Sequence, residues 1–199
     1  VWFTFGHYKF SRFSLGKVIP AAKWKAMTIC TMPILGFTMV FYSIMNLFHL
    51  DFLPKQMMEI SYLGFLPYNI IGSFISAYIF FGAIQEELIR CGKKSWVQLL
   101  TLSIMMLPAC IMSVTPSGDI NVDLTVLSFI TLCYCSWIYS KTRSTIILIV
   151  LYFVSNLVPF HFESKVLGIL LLIAGTALTI GGFAALSRKL PEMLVKDEN

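Results

Sequence analysis

Six long apolar runs, separated by short polar connections, set the pattern of this chain. They lie at about residues 26–49, 67–90, 96–114, 123–140, 144–161 and 166–187. Each is close to the roughly 20 apolar residues that an α-helix needs to cross a bilayer. The pattern therefore predicts an all-α membrane protein, a bundle of about six transmembrane helices within residues 26–190.

The two ends of the chain differ from these runs. Residues 1–25 combine aromatic and basic side chains with no acid. Aromatic side chains prefer the headgroup level and basic ones prefer an anionic leaflet, so we expect an interfacial segment there. Residues 191–199 are polar and follow Pro191, and we expect a cytoplasmic tail.

The composition agrees with a chain that is solvated by lipid. Hydrophobic residues make up 57% of it and charged residues 13%, whereas a soluble domain has about 25% charged residues. The net charge of +5 is a feature of nucleic-acid-binding proteins too, but the position of the charges explains it better. We therefore expect the lipid bilayer, and no nucleic acid, as a partner.

The basic residues fall almost entirely on one side of the predicted membrane. One set of ends and loops holds thirteen: Lys9, Arg12, Lys17, Lys23, Lys25, Arg90, Lys93, Lys94, Lys141, Arg143, Arg188, Lys189 and Lys196. The other side holds Lys55 and Lys165. Because basic loops stay in the cytoplasm, we expect a multi-pass protein with both termini cytoplasmic, in a bacterial plasma membrane.

A polar cluster ends the second apolar run. Its sequence is Gln85-Glu86-Glu87-Leu88-Ile89-Arg90, and adjacent carboxylates at membrane depth cost several kcal/mol unless they are paired or solvated. Glu86 and Arg90 are four residues apart, so they can pair on one helix face. Two interpretations follow. These residues either mark the cytoplasmic interface, where Glu and Arg side chains extend their charged groups toward water, or they form a functional site.

These residues carry a resemblance to a known family. Residues 85–90 resemble the Glu-Glu-x-x-x-Arg motif of the CAAX-protease and bacteriocin-processing family of intramembrane metalloproteases. The family's last motif, His-x-x-x-Asn, follows a short connection that has an aromatic residue and then Thr-Gly-Ser. Residues 137–144 are similar to this connection, with the sequence Trp-Ile-Tyr-Ser-Lys-Thr-Arg-Ser. Tyr152 and Asn156 stand at the two named positions of that motif, and Met106 and Cys110 at those of a Phe-x-x-x-His motif.

The resemblance implies a fold like that of the family, but this chain departs from the family's site. With the Arg spacing held, the first Glu becomes Gln85, and the other register, with Glu86 and Glu87, leaves Arg90 one residue short. Both histidine positions are lost, to Cys110 and Tyr152. In the family the first Glu and the histidines position a metal or an activated water. An amide has no useful pKa for a general base, and a tyrosine pKa near 10 is poorly suited to that role.

The remaining histidines and the cysteines do not replace the lost ligands. His49 and His161 fall at the predicted outer helix ends and Glu86 at the inner end. About 30 Å of bilayer core separates them, against a metal–ligand distance of about 2 Å. The five cysteines lack the spacing of a zinc site. We therefore expect no metal and no cofactor.

Three functions remain open at this point. We favour a catalytically degenerate member of the family that acts as a partner-binding or regulatory scaffold for a membrane or envelope protein. The first alternative is an active intramembrane endopeptidase, with Glu86 or Glu87 as base and Asn156 as oxyanion donor. The second is a small transporter or channel subunit, or a membrane immunity protein. Whether the chain is an enzyme stays open, with non-catalytic function favoured.

A line of glycines marks the last apolar run. Gly168, Gly175 and Gly182 follow a seven-residue spacing, which places them on one helix face. Small faces let another helix approach closely. That helix belongs either to this bundle or to a partner protein, and for a partner we expect binding at these three glycines.

Overall fold

The fold is known for four stretches of the chain. The computed structural model describes residues 21–48, 62–112, 122–155 and 164–193. In these ranges the chain is helical apart from short turns, and they contain no strand. The prediction of an all-α protein is confirmed for this part of the chain.

The helices follow the order of the apolar runs. They are α1 (Ala21–Leu47), α2 (Tyr62–Ser76), a π-helix (Ala77–Gln85), α3 (Glu86–Arg90), α4 (Ser95–Met112), α5 (Val122–Thr142), α6 (Thr145–Ser155) and α7 (Lys165–Met193). Helix α2, the π-helix and α3 are continuous and form one rod, called the second rod below. The described residues therefore form six helical rods, one for each predicted run.

Two predicted boundaries differ from the structure. Helix α1 begins at Ala21, so residues 21–25 are helical, and residues 1–20 of the predicted interfacial segment lie outside the described residues. Helix α7 continues to Met193, beyond the start of the predicted tail at Pro191. A proline has a φ angle compatible with a helix, and close to a helix end the hydrogen bond that it removes is less costly.

Helix α6 lies at the centre of the bundle. It has 11 residues and buries Ile147, Leu148, Leu151, Tyr152 and Ser155, a spacing that places all five on one wide face of the helix. It packs against α1, α5 and both the α2 and π-helical parts of the second rod. The core around it also contains Cys30, Ile34, Phe81, Leu102, Leu132, Ile138 and Leu186.

Helices α1 and α7 form the tightest helix pair, because glycines lie where they meet. A Cβ atom built on Gly175 would lie 2.8 Å from the Gly36 carbonyl oxygen and 3.0 Å from the Val40 backbone nitrogen. At Gly182 it would lie 2.8 Å from the Pro33 nitrogen. Gly168 is also buried. The structure therefore supports internal packing for the glycine line, since α1 of the same chain covers Gly175 and Gly182.

Two of the rods are long and apolar enough to cross a membrane. They span Trp24–Leu47 and Lys165–Lys189, with 24 and 25 residues. Large apolar side chains are exposed on every rod except α6; examples are Ile44, Ile71, Ile104, Phe129 and Ile173. In a soluble monomer, large exposed apolar patches are rare, so these two helices and the apolar surface indicate association with a membrane.

The α1–α7 contact predicts a sharp difference between two glycines of one helix. Gly175→Ala places a methyl group against the α1 backbone, and we expect a loss of about 1–3 kcal/mol in stability. Gly181→Ala is the matched control, because a Cβ there meets nothing within 4 Å and alanine favours a helix. Thermal unfolding in detergent measures both, and equal unfolding temperatures for the two variants would contradict the close contact.

Candidate functional site

A π-helix of nine residues leads directly into the polar cluster predicted from the sequence. It runs from Ala77 to Gln85, and the backbone N–H of Glu86 donates to the carbonyl of Phe81, five residues earlier. Such segments are rare and occur mostly as single turns, frequently at functional sites. The wider turn sets which way Gln85 and Glu86 face, with Gln85 toward the core and Glu86 toward the bundle edge.

Gln85 is fully buried and joins three rods through its amide. Its Nε2 lies 3.1 Å from Oε1 of Gln98 on α4, and 3.0 Å from both the carbonyl oxygen and Oγ of Ser136 on α5. Gln98 in turn donates from Nε2 to the carbonyl of Lys93, at 2.7 Å. Gln85 Oε1 is buried and receives no hydrogen bond from the described residues. The amide therefore acts as a connection between helices.

Glu86 is held by three side chains, one of them on its own rod. Arg90 Nε lies 3.4 Å from Oε1, which confirms the predicted pair. Arg143 Nη1 donates to Oε2 at 2.8 Å, and the Tyr139 hydroxyl donates to the same oxygen at 3.1 Å. Both carboxylate oxygens thus have partners within the chain, and the end of the second rod is fastened to the end of α5.

The charge of Glu86 follows from these contacts. Glu86 lies outside the two helices long enough to span a membrane, at a rod end beside the exposed turn 91–94. Arg143, Tyr139 and Arg90 donate to the carboxylate and favour its charged form over the protonated one. The carboxylate is therefore charged at neutral pH and a weak proton acceptor.

Arg143 occupies an unusual backbone conformation in the connection between α5 and α6. Its φ is 48°, in the left-handed region that favours glycine, and its N–H donates to the carbonyl of Tyr139 at 2.8 Å. A non-glycine residue pays about 1–2 kcal/mol in this region. The ion pair with Glu86 offsets part of that cost.

Phe81 brings the helices of the sequence motifs together. Its ring lies 6.2 Å from that of Tyr139 on α5 and 5.8 Å from that of Tyr152 on α6, measured between centroids. Tyr152 is buried beside the π-helix. The positions that stand for the first Glu and the last His of the family motifs therefore lie on neighbouring helices, joined through one aromatic side chain.

Of the other predicted positions, Glu87 does not join this cluster in the described part of the chain. Glu87 is exposed and lies 4.0 Å from the thiol of Cys91 in the turn 91–94. Cys110 is in α4 and Asn156 lies outside the described residues. No group of three or more His, Cys, Asp or Glu side chains that could hold a metal occurs in the residues described.

The sequence interpretation missed four partners of the cluster. Gln98 is polar within an apolar run, which was a signal that it needs a buried partner. Tyr139 and Arg143 were noted as part of the connection before α6 but not as partners of Glu86, and Ser136 has no distinguishing pattern. Ser136, Tyr139 and Arg143 lie about 50 residues from Gln85 or Glu86 along the chain, which explains why spacing on one helix did not reveal them.

Comparisons with known proteins identify no relative. No protein-family model, curated protein or solved structure matches the chain.

The Glu86 contacts predict different consequences for two adjacent carboxylates. Glu86→Gln removes the charge between Arg90 and Arg143, and we expect a loss of about 1–3 kcal/mol in stability because hydrogen bonds to a charged group are lost. Glu87→Gln, on the exposed face, should stay within about 0.5 kcal/mol. Thermal unfolding in detergent compares them, and an equal effect of both variants would argue against the ion-pair cluster.

The backbone of Arg143 predicts an unusual order of stability. Arg143→Ala and Arg143→Gly both remove the ion pair with Glu86, but only glycine also relieves the positive φ. We expect the glycine variant to be more stable than the alanine variant by about 1 kcal/mol. At helical positions the order is reversed, so Ser140→Ala and Ser140→Gly on α5 serve as controls.

Proposed function

We propose that this chain is an integral membrane protein with six spanning helices and a non-catalytic role, as a scaffold that binds or regulates a membrane or envelope protein. One observation carries the non-catalytic part of the proposal. Glu86 stands at a catalytic position of the family that the chain resembles. Both of its carboxylate oxygens are in contact with partners, namely Arg90, Tyr139 and Arg143.

The exposed surface supports spanning by every rod except α6, which has no large exposed apolar side chain. Two rods have the required length and composition, and the apolar surface continues on the second rod, α4 and α5. Several buried polar side chains donate to carbonyls of their own helix, as at Thr38, Ser43 and Asn46. Pairing of this kind is required where no water is present.

The chemistry of the cluster supports a structural role. A general base needs a proton affinity matched to neutral pH, whereas the two cations beside Glu86 weaken its affinity for a proton. Gln85 is an amide and donates to Ser136 and Gln98. The arrangement holds the second rod, α4 and α5 in register, which is what a scaffold requires.

The connection at Arg143 supports the family resemblance. The family has glycine in its Thr-Gly-Ser connection, and Arg143 stands at that position with a φ of 48°, a value that glycine adopts freely. The order of motif helices and their meeting at Phe81 agree with the same resemblance. The departures at Gln85, Cys110 and Tyr152 are the reason for proposing a degenerate member.

The partner surface that fits this proposal is not the glycine line. Gly175 and Gly182 lie against α1, so a partner there would have to displace a helix of this chain. Exposed apolar faces, such as that of α7 with Leu170 and Ile173, are accessible to a second membrane helix.

Mass spectrometry after gentle extraction of the chain from its native membrane tests the function. We expect an intact protein partner that co-purifies in fixed ratio and is recovered equally with the Glu87→Gln variant. Glu86→Gln should reduce partner recovery in proportion to its loss of folded protein. A cleaved partner, with cleavage lost in a Glu86→Gln variant that is still folded, would overturn the proposal in favour of an intramembrane peptidase.

A further inference from the structure

We infer that the bundle end next to Glu86 carries a ring of lysines, arginines and tryptophans that binds the headgroups of anionic phospholipids. The inference rests on the proposed membrane insertion and adds a lipid class to it. The ring consists of Lys25, Lys93, Lys94, Lys141, Arg188 and Lys189, with Trp24, Trp96 and Trp137, and it is called the basic rim below. All nine side chains are exposed.

Helix pairing places these residues at one end of the bundle. Gly182 meets Pro33 and Gly175 meets Val40, so α1 and α7 are antiparallel and the start of α1 lies beside the end of α7. Gln85 meets Ser136 and Glu86 meets Tyr139, so the second rod and α5 run in the same direction. The turn 91–94 then leads into α4 at the same end. The hydroxyl of Tyr134, in the second half of α5, donates to the carbonyl of Cys30, in the first half of α1, which brings the two groups of helices to the same end.

The described side chains give this end of the bundle a net positive charge. The acidic side chains that the structure describes there are Glu86 and Glu87, and Glu86 is engaged by Arg90 and Arg143. At the other end, Lys165 is the one basic residue among those described. An anionic surface therefore attracts one end of the bundle far more than the other.

The neighbours of the rim favour phospholipid over a soluble anion. Leu100 lies one turn beyond Trp96 on α4, and Phe183 lies about one turn before Arg188 on α7; both are exposed. Exposed apolar surface therefore lies next to the basic rim on α4 and on α7. A phospholipid presents a phosphate and acyl chains in that order, and the indole rings match the headgroup level between them.

Tryptophan fluorescence in vesicles tests the rim. The full chain is reconstituted into phosphatidylcholine vesicles that contain a small fraction of either brominated phosphatidylglycerol or brominated phosphatidylcholine, since bromine quenches nearby tryptophans. We expect the anionic lipid to quench several-fold more, and the excess to fall with added salt. Each basic side chain raises the affinity for the anionic lipid by about fivefold at most, because one charge contributes about 1 kcal/mol.

Charge variants separate lipid binding from folding. Replacing Lys93, Lys94 and Lys141 by glutamine should lower the excess quenching several-fold, whereas replacing all three by arginine should retain it. Lys165→Gln is the matched control at the opposite end and should have no effect. Equal quenching by the two lipids, or loss of the excess in the arginine variant, would overturn the inference.

Resistance to alkaline extraction from the same vesicles tests insertion separately. A chain that resists extraction but shows no preference for the anionic lipid refutes the basic rim and leaves the proposed spanning helices in place. If alkali removes the chain from the vesicles, the proposed insertion is wrong, and the proposed lipid binding by the basic rim is wrong as well.

Discussion

A charged carboxylate at the end of an apolar rod must find partners, and this requirement shapes the polar end of the bundle. Glu86 cannot be left alone beside apolar surface without a cost of several kcal/mol. Arg90 supplies one cation from the same rod, and α5 supplies Arg143 and Tyr139. The second rod and α5 are therefore fixed relative to each other at this end, in direction and in register.

The buried amide of Gln85 extends the same constraint inward. It lies one residue before Glu86 and reaches Gln98 on α4 and Ser136 on α5. The π-helix ends at Gln85. Gln85 faces the buried core, whereas the next residue, Glu86, faces the edge of the bundle. A polar group in a dry core rigidifies a bundle when it is satisfied, and the amide nitrogen is satisfied here.

Helices α1 and α7 are joined by close backbone packing rather than by a polar cluster. Helices α1 and α7 approach so closely that a methyl group on Gly175 or Gly182 would meet backbone atoms. In lipid, apolar side chains gain little by leaving their surroundings, so close backbone packing is a main source of helix association. The remaining faces of α7 stay apolar and exposed, as at Ile173 and Ile180, as expected of helices surrounded by acyl chains.

For the part of the chain that the structure describes, sequence alone determined the helical nature, the number and order of the six rods, the Glu86–Arg90 pair and the single face of glycines. All of these depend on spacing within one helix, which periodicity fixes. Tertiary structure decided which helix the glycines contact, that Gln85 points into the core, and that Tyr139 and Arg143 share the carboxylate of Glu86. The physical reason is that the Glu86 contacts join side chains about 50 residues apart and the glycine contacts join residues still farther apart. Pairing between helices depends on their packing, which no local pattern encodes.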